Sequence, residues 1–224
     1  MTLDSKTNEL QGQRITADLG LANKIELFST PIHVFKIEKF LPLNIALKSQ
    51  IMDRAAVPGI NGTSNIGGWH SDVDLESWSP ETKLLCELMM KSAQNIVKQD
   101  HNYPRVGGAN LQAWANVTFR NGFNMPHLHH MSSMSGVYYV CTGKSGQEVG
   151  GELVFFDPRG LGQAHENLGF PGVNSIDHKI LPKDGTLIIF PSWLKHWVTP
   201  YDCDEPRVSI AFNIRLNSNE QLLE

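Results

Sequence analysis

Three histidines crowd into four positions of the stretch NMPHLHHMSSMSGVYYV: His127, His129 and His130. A neutral imidazole offers a lone pair at ordinary pH, which makes histidine the commonest side-chain metal ligand. In an extended chain residues i and i+2 project to one face. His127 and His129 can therefore reach the same ion, while His130 points away. A third ligand must come from elsewhere among the nine histidines, and the strongest candidate is His196 in LIIFPSWLKHWVTP, which follows one apolar strand and opens another. Two ligands from one strand edge and a third from a distant strand would occupy one face of an octahedron and leave three positions open. Eleven residues after His196 stands Arg207, at the head of RVSIAFNIRL.

These residues need strands to position them, and the second half of the chain reads as strands. LQAWANVTF, SGVYYVCT, GELVFF, HKIL, GTLIIF, HWVTP and RVSIAFNIRL are separated by Gly, Pro, Asn and Asp. In the last of them Val208, Ile210, Phe212 and Ile214 alternate with Arg207, Ser209, Ala211 and Asn213. One face is apolar and suited to helices; the other is polar and suited to a wet pocket. Two helices precede the strands. LPLNIALKSQIMDRA has apolar Leu43, Leu47 and Ile51 four apart. SPETKLLCELMMKSAQNIVKQ opens with Ser79 as N-cap and Pro80 at N1, and its stripe is read as Leu84, Leu85, Leu88, Met89 and Ile96. Between them, INGTSNIGGWHSDVDLESWSP reads as a long loop, with Trp69 and His70 as weak candidates for the edge of a substrate pocket. The expected fold is mainly β with flanking helices, a jelly roll or double-stranded β-helix. Residues 1–24 read as a flexible polar leader and 25–224 as a single domain, opening with one or two edge strands around Ile25–Ile37.

The bulk properties exclude some partners. The 224 residues carry a formal charge of −4 without a basic stripe, so no nucleic acid is expected. Apolar runs are too short to span a membrane, and the polar N-terminus lacks the apolar core of a signal peptide. Cys86, Cys141 and Cys203 are odd in number and widely spaced. Reduced thiols in a cytoplasmic setting are the expectation.

The blocks WANVTFRNGFNMPHLHHMSSMSGVYYV, GGELVFFDPRG, GTLIIFPSWLKHWVTP and RVSIAFNIRL resemble, in order, those of the 2-oxoglutarate- and Fe(II)-dependent dioxygenases. More narrowly, with LFSTPIHVFKI and SNIGGWHSD, the chain resembles a bacterial and phage-type oxygenase family distantly akin to the prolyl hydroxylases. The resemblance implies a double-stranded β-helix holding one Fe(II) through His127, His129 and His196. It implies that Arg207 pairs with the distal carboxylate of 2-oxoglutarate, that Ser209 adds a hydroxyl, that Tyr139 contacts the cosubstrate, and that Asn116 is a weaker contact. An arginine suits that role because its planar fork binds a carboxylate bidentately and keeps its charge. The implied reaction couples O2 and 2-oxoglutarate decarboxylation to hydroxylation of a substrate, releasing succinate and CO2. That substrate is either a protein or peptide side chain or a small metabolite.

The motif departs from the superfamily's usual His-x-Asp or His-x-Glu, because His129 stands where the carboxylate would be. The carboxylates read as nearest the pocket, Glu152 and Asp157, lie outside the motif. Three-histidine sites also serve cupin-type dioxygenases that need no 2-oxoglutarate, and zinc hydrolases. Those alternatives, and a non-catalytic jelly-roll binding module, stay open at the level of sequence.

Overall fold

The computed structural model describes residues 3–10, 13–19, 29–60, 64–99, 106–143, 149–159 and 177–218. The chain divides into two units between Thr30 and Pro31. Within the first, which includes the expected leader, strands β1 (Leu3–Leu10) and β2 (Gln13–Leu19) pair antiparallel.

The second unit opens with strand β3 (His33–Lys36) and helix α1 (Leu41–Arg54). Strand β4 (Asn65–His70), a 3-10 turn (Leu75–Ser77) and helix α2 (Pro80–Gln99) follow. The strands then run β5 (Val106–His127), β6 (Met134–Cys141), β7 (Leu153–Phe156) and β8 (Asp177–Ile180). The last three are β9 (Thr186–Pro191), β10 (His196–Val198) and β11 (Arg207–Ser218). Nine of these strands form one antiparallel sheet in the order β3-β9-β6-β11-β5-β10-β7-β8, with β4 also paired to β5. Its curl is that of a double-stranded β-helix.

The alternation along β11 divides the interior. Val208, Ile210, Phe212 and Ile214 are buried in the main core with Leu47 and Ile51 of α1 and Leu85, Cys86, Met89 and Ile96 of α2. A second cluster gathers Tyr139, Leu153, Phe155, Ile188, Phe190 and Leu194. The two adjacent tyrosines of β6 part company between these regions, as a pleat requires. Tyr138 donates to Asn44 Oδ1 on α1 at 2.5 Å, and Asn44 Nδ2 donates to the Val140 carbonyl at 2.6 Å. Tyr139 faces the other way.

Two expectations need correction. The loop Ile60–Pro80 contains strand β4, hidden in sequence because Gly67 takes φ +65 at a register shift between Ile66 and Gly68. Such a bulge breaks the alternation by which a strand is recognised. On α2 the stripe is shifted. Thr82, Leu85, Cys86, Met89, Ala93 and Ile96 are buried, whereas Leu84 is 49 % exposed. The N-cap is as expected: Ser79 Oγ accepts the Thr82 N–H at 3.2 Å, while Thr82 Oγ1 accepts the Ser79 N–H at 3.0 Å. None of the three cysteines is in a disulfide, and burial raises the Cys86 thiol to about 12.

Candidate metal and cosubstrate site

A cavity of about 260 Å³ opens inside the curl of the sheet. Its wall is built from three neighbouring strands. Ser209 of β11 lies directly between Asn116 of β5 and Tyr139 of β6. One step along, Ala211 lies between Trp114 and Val137; one step further, Asn213 lies between Gln112 and Ser135. Arg207 heads the same face of β11 and is 2 % exposed.

The histidines arrive from two strands that are hydrogen-bonded to each other. His127 ends β5 and is the cross-strand partner of His196 on β10. His129 lies just beyond the strand, held by its own N–H donating to the Ser192 carbonyl at 2.9 Å. The ring centroids are 4.4 Å apart for His127 and His196, 5.0 Å for His127 and His129, and 5.2 Å for His129 and His196. One ligand atom from each lies within 4.8 Å of the others. His127 Nδ1 donates to the Met125 carbonyl at 2.7 Å, and His196 Nδ1 donates to the Leu194 carbonyl at 2.8 Å. A carbonyl can only accept, so the proton sits on Nδ1 and the Nε2 lone pair is left for an ion. His130 is exposed.

Burial keeps these rings neutral. His196 is lowered to about 3 and His129 to about 4, in each case first by burial and then by the neighbouring imidazoles; His127 is lowered by burial as well. A histidine held neutral in the fold but free to charge at its usual 6.5 when unfolded makes the unfolded chain bind more protons. Stability contributed this way is present above pH 6.5 and is lost as pH falls toward 4. Metal-free protein should therefore melt at lower temperature as the pH drops through that window. His196→Gln should reduce the slope, because other acid-sensitive groups act equally on both proteins. Equal slopes in thermal melts would contradict it.

The far side of the cavity has the opposite character. Arg207 carries the one formal charge among the lining residues, and no Asp or Glu is among them. Its guanidinium carbon lies 5.2 Å from the centre of the Tyr139 ring. Arg207 Nε and the Tyr139 hydroxyl are both buried without a hydrogen-bond partner among the described residues. Burial lowers the arginine and raises the tyrosine. A buried cation beside an unpaired phenol is costly unless an anion completes it. The donor set fits a carboxylate. Gly151 packs against this arginine: a Cβ there would stand 3.3 Å from Arg207 Cδ, at a φ of +74 that side chains rarely adopt. The two carboxylates read from the sequence as nearest the pocket are occupied elsewhere. Glu152 lies 3.9 Å from Lys179, and Asp157 pairs with Arg159.

The matching family model is described as "Putative 2OG-Fe(II) oxygenase" and spans residues 112–213. The match covers a little under half of the chain. The matched segment contains the β5, β6 and β11 residues of the wall and all three histidines. The fold is shared with a prolyl-4-hydroxylase from Pseudomonas putida (TM-score 0.62, 17 % identity, 84 % of this chain and 93 % of that one). It is also shared with a prolyl hydroxylase from Trichoplax adhaerens in complex with a hypoxia inducible factor peptide fragment (0.60, 13 %, 82 % and 83 %). A third is HygX from Streptomyces hygroscopicus with nickel and 2-oxoglutarate bound (0.58, 12 %, 85 % and 84 %). No curated protein matches.

Of the candidates read from the sequence, His127, His129, His196, Arg207, Ser209, Tyr139, Asn116 and His70 all line the one cavity. Trp69 does not. It packs against the main core and its indole N–H donates to the Val57 carbonyl at 3.0 Å. Period two separates the pair, and His70 takes the cavity side, stacked on Trp114 at 5.6 Å between centroids. Trp114, Asn124 and Ser64 also line the cavity and were not singled out in sequence. Trp114 was within reach, since it stands two residues before Asn116 and must share its face.

Proposed function

We propose that this protein is an Fe(II)- and 2-oxoglutarate-dependent oxygenase in which His127, His129 and His196 hold the metal. Arg207, Ser209 and Tyr139 hold the far carboxylate of 2-oxoglutarate, flanked by Asn116. The observation that carries the reading is Arg207: a buried guanidinium, its Nε without a hydrogen-bond partner among the described residues, on the wall of the cavity that holds three converging imidazoles. Iron with 2-oxoglutarate and O2 supplies the oxidising power for substrate hydroxylation, with succinate and CO2 released. The protein's own part is electrostatic and positional. Neutral imidazoles leave a divalent ion with its full charge, so the incoming dianion is attracted at both ends, by the ion and by Arg207. The buried wall excludes water from that contact, which strengthens both attractions.

The substrate is proposed to be a protein or peptide side chain or a small metabolite. Fold neighbours include one in complex with a peptide fragment and one with hygromycin B bound. His70, Trp114, Ser64 and Asn124 offer an uncharged, partly aromatic lining to either. Cysteines outside any disulfide fit a cytoplasmic setting.

The test is calorimetric titration of 2-oxoglutarate into protein loaded with Fe(II) or Ni(II), followed by succinate release without added substrate. Binding that requires the metal, and slow succinate release, are expected. Metal-loaded protein with no affinity for 2-oxoglutarate would overturn the reading in favour of a cosubstrate-free three-histidine dioxygenase or a binding module.

A further inference from the structure

Two of the three rings are held by carbonyls two residues back in the chain, and the third is not. His129 has its Nδ1 3.4 Å from the Nδ2 of Asn213, a residue of β11 distant in sequence. The Asn213 Oδ1 in turn accepts from the hydroxyl of buried Ser135 at 2.7 Å. In that arrangement the amide donates to Nδ1, so the ring proton must sit on Nε2, the atom that would otherwise offer its lone pair to an ion. Turning the side-chain amide over reverses every bond. His129 Nδ1–H then donates to Oδ1, Nδ2–H donates to the Ser135 oxygen, and Nε2 is bare. Both arrangements satisfy the network, because a serine hydroxyl can donate or accept. The two ends of an asparagine amide also have nearly the same shape.

We propose that Asn213 is a positioning residue for the metal site, and that its amide orientation, backed by Ser135, decides whether His129 can ligate. It takes the place of the backbone carbonyl that His127 and His196 each possess. This inference rests on the metal-centre reading above. Both amide orientations are open to the metal-free protein; loading an ion selects the one that leaves Nε2 bare. Loss of such an outer partner typically weakens metal binding about 10- to 100-fold.

The experiment compares wild type, Asn213→Ala and Asn213→Asp. Ni(II) affinity is measured by calorimetry, the His129 tautomer by nitrogen-15 NMR of the metal-free proteins, and folding by thermal melts. Asn213→Ala should bind Ni(II) about 10- to 100-fold more weakly. Asn213→Asp can only accept, so it should bind at least as tightly as wild type and should hold His129 as the Nδ1–H form without metal. Wild-type metal-free protein should keep a share of the Nε2–H form that Asn213→Asp lacks. Wild type that binds while Asn213→Ala binds equally well, or Asn213→Asp as weak as Asn213→Ala, overturns the proposal and leaves the metal centre standing. Wild type that does not bind Ni(II) overturns the metal centre itself.

Discussion

Arg207→Ala is expected to lose 2-oxoglutarate binding by roughly 30- to 4,000-fold, the equivalent of the ~2–5 kcal/mol that truncating one partner of a buried charge pair costs. Most of that loss comes from leaving the ligand carboxylate buried with only Ser209 and Tyr139 to meet it. Arg207→Lys should recover only part of the affinity, since an ammonium cannot reproduce the two-pronged geometry. The same substitution has an opposite signature without ligand. Arg207 is 2 % exposed, its Nε lacks a hydrogen-bond partner and no carboxylate lines its cavity among the described residues, so the ligand-free wild type bears the cost of a poorly compensated buried cation. Metal-free Arg207→Ala should melt at or above the wild-type temperature, whereas an ordinary core truncation lowers it. Calorimetry and melts on one preparation test both halves. Affinity within threefold of wild type would remove Arg207 from the cosubstrate site. A melting temperature well below wild type would make the arginine a structural element.

His196→Ala is expected to remove metal binding to a greater degree than the ~10- to 100-fold typical of an outer partner, and with it any succinate release. His196 is 5 % exposed and is wedged edge-on against Phe190 at 4.7 Å. It also faces His127 across the β5–β10 ladder, so its position is dictated by sheet register rather than by a loop. His130→Ala is the control. That side chain is exposed and is not among the residues lining the cavity. It should leave Ni(II) affinity unchanged by calorimetry. Equal losses in the two variants would mean that the cluster is not the ion's seat.

Much of this site could be read from residue types and period two. β11 was legible because its two faces differ so sharply that only one register buries Phe212 while presenting Arg207 and Ser209 inward. His127 and His129 were legible because alternation alone puts them together, although the second sits past the end of its strand. Other parts were not, for physical reasons. β4 is interrupted by a glycine bulge, so its alternation is broken where it would have been counted. Trp69 and His70 were read together, although adjacent strand residues must face apart. The stripe of α2 was displaced because Thr82, Cys86 and Ala93 are small and weakly apolar, and Leu84 outweighed them on composition while lying on the exposed side. Asn213 was assigned to the polar face but not to a role. Its part depends on a ring 84 positions away, and no local pattern encodes that contact.

Strand β10 is only three residues long, yet among the described residues it is the strand that joins β5 to the β7–β8 pair in the hydrogen-bonded order. So short a ladder would fray on its own. The first of its three residues is His196, opposite His127. An ion gripped by both would act as a rivet through the seam where the curled sheet closes. Loading the ion and closing the barrel thus become one equilibrium. Amide hydrogens of β10, β7 and β8 would exchange slowly in the loaded protein and open together when a chelator takes the ion away.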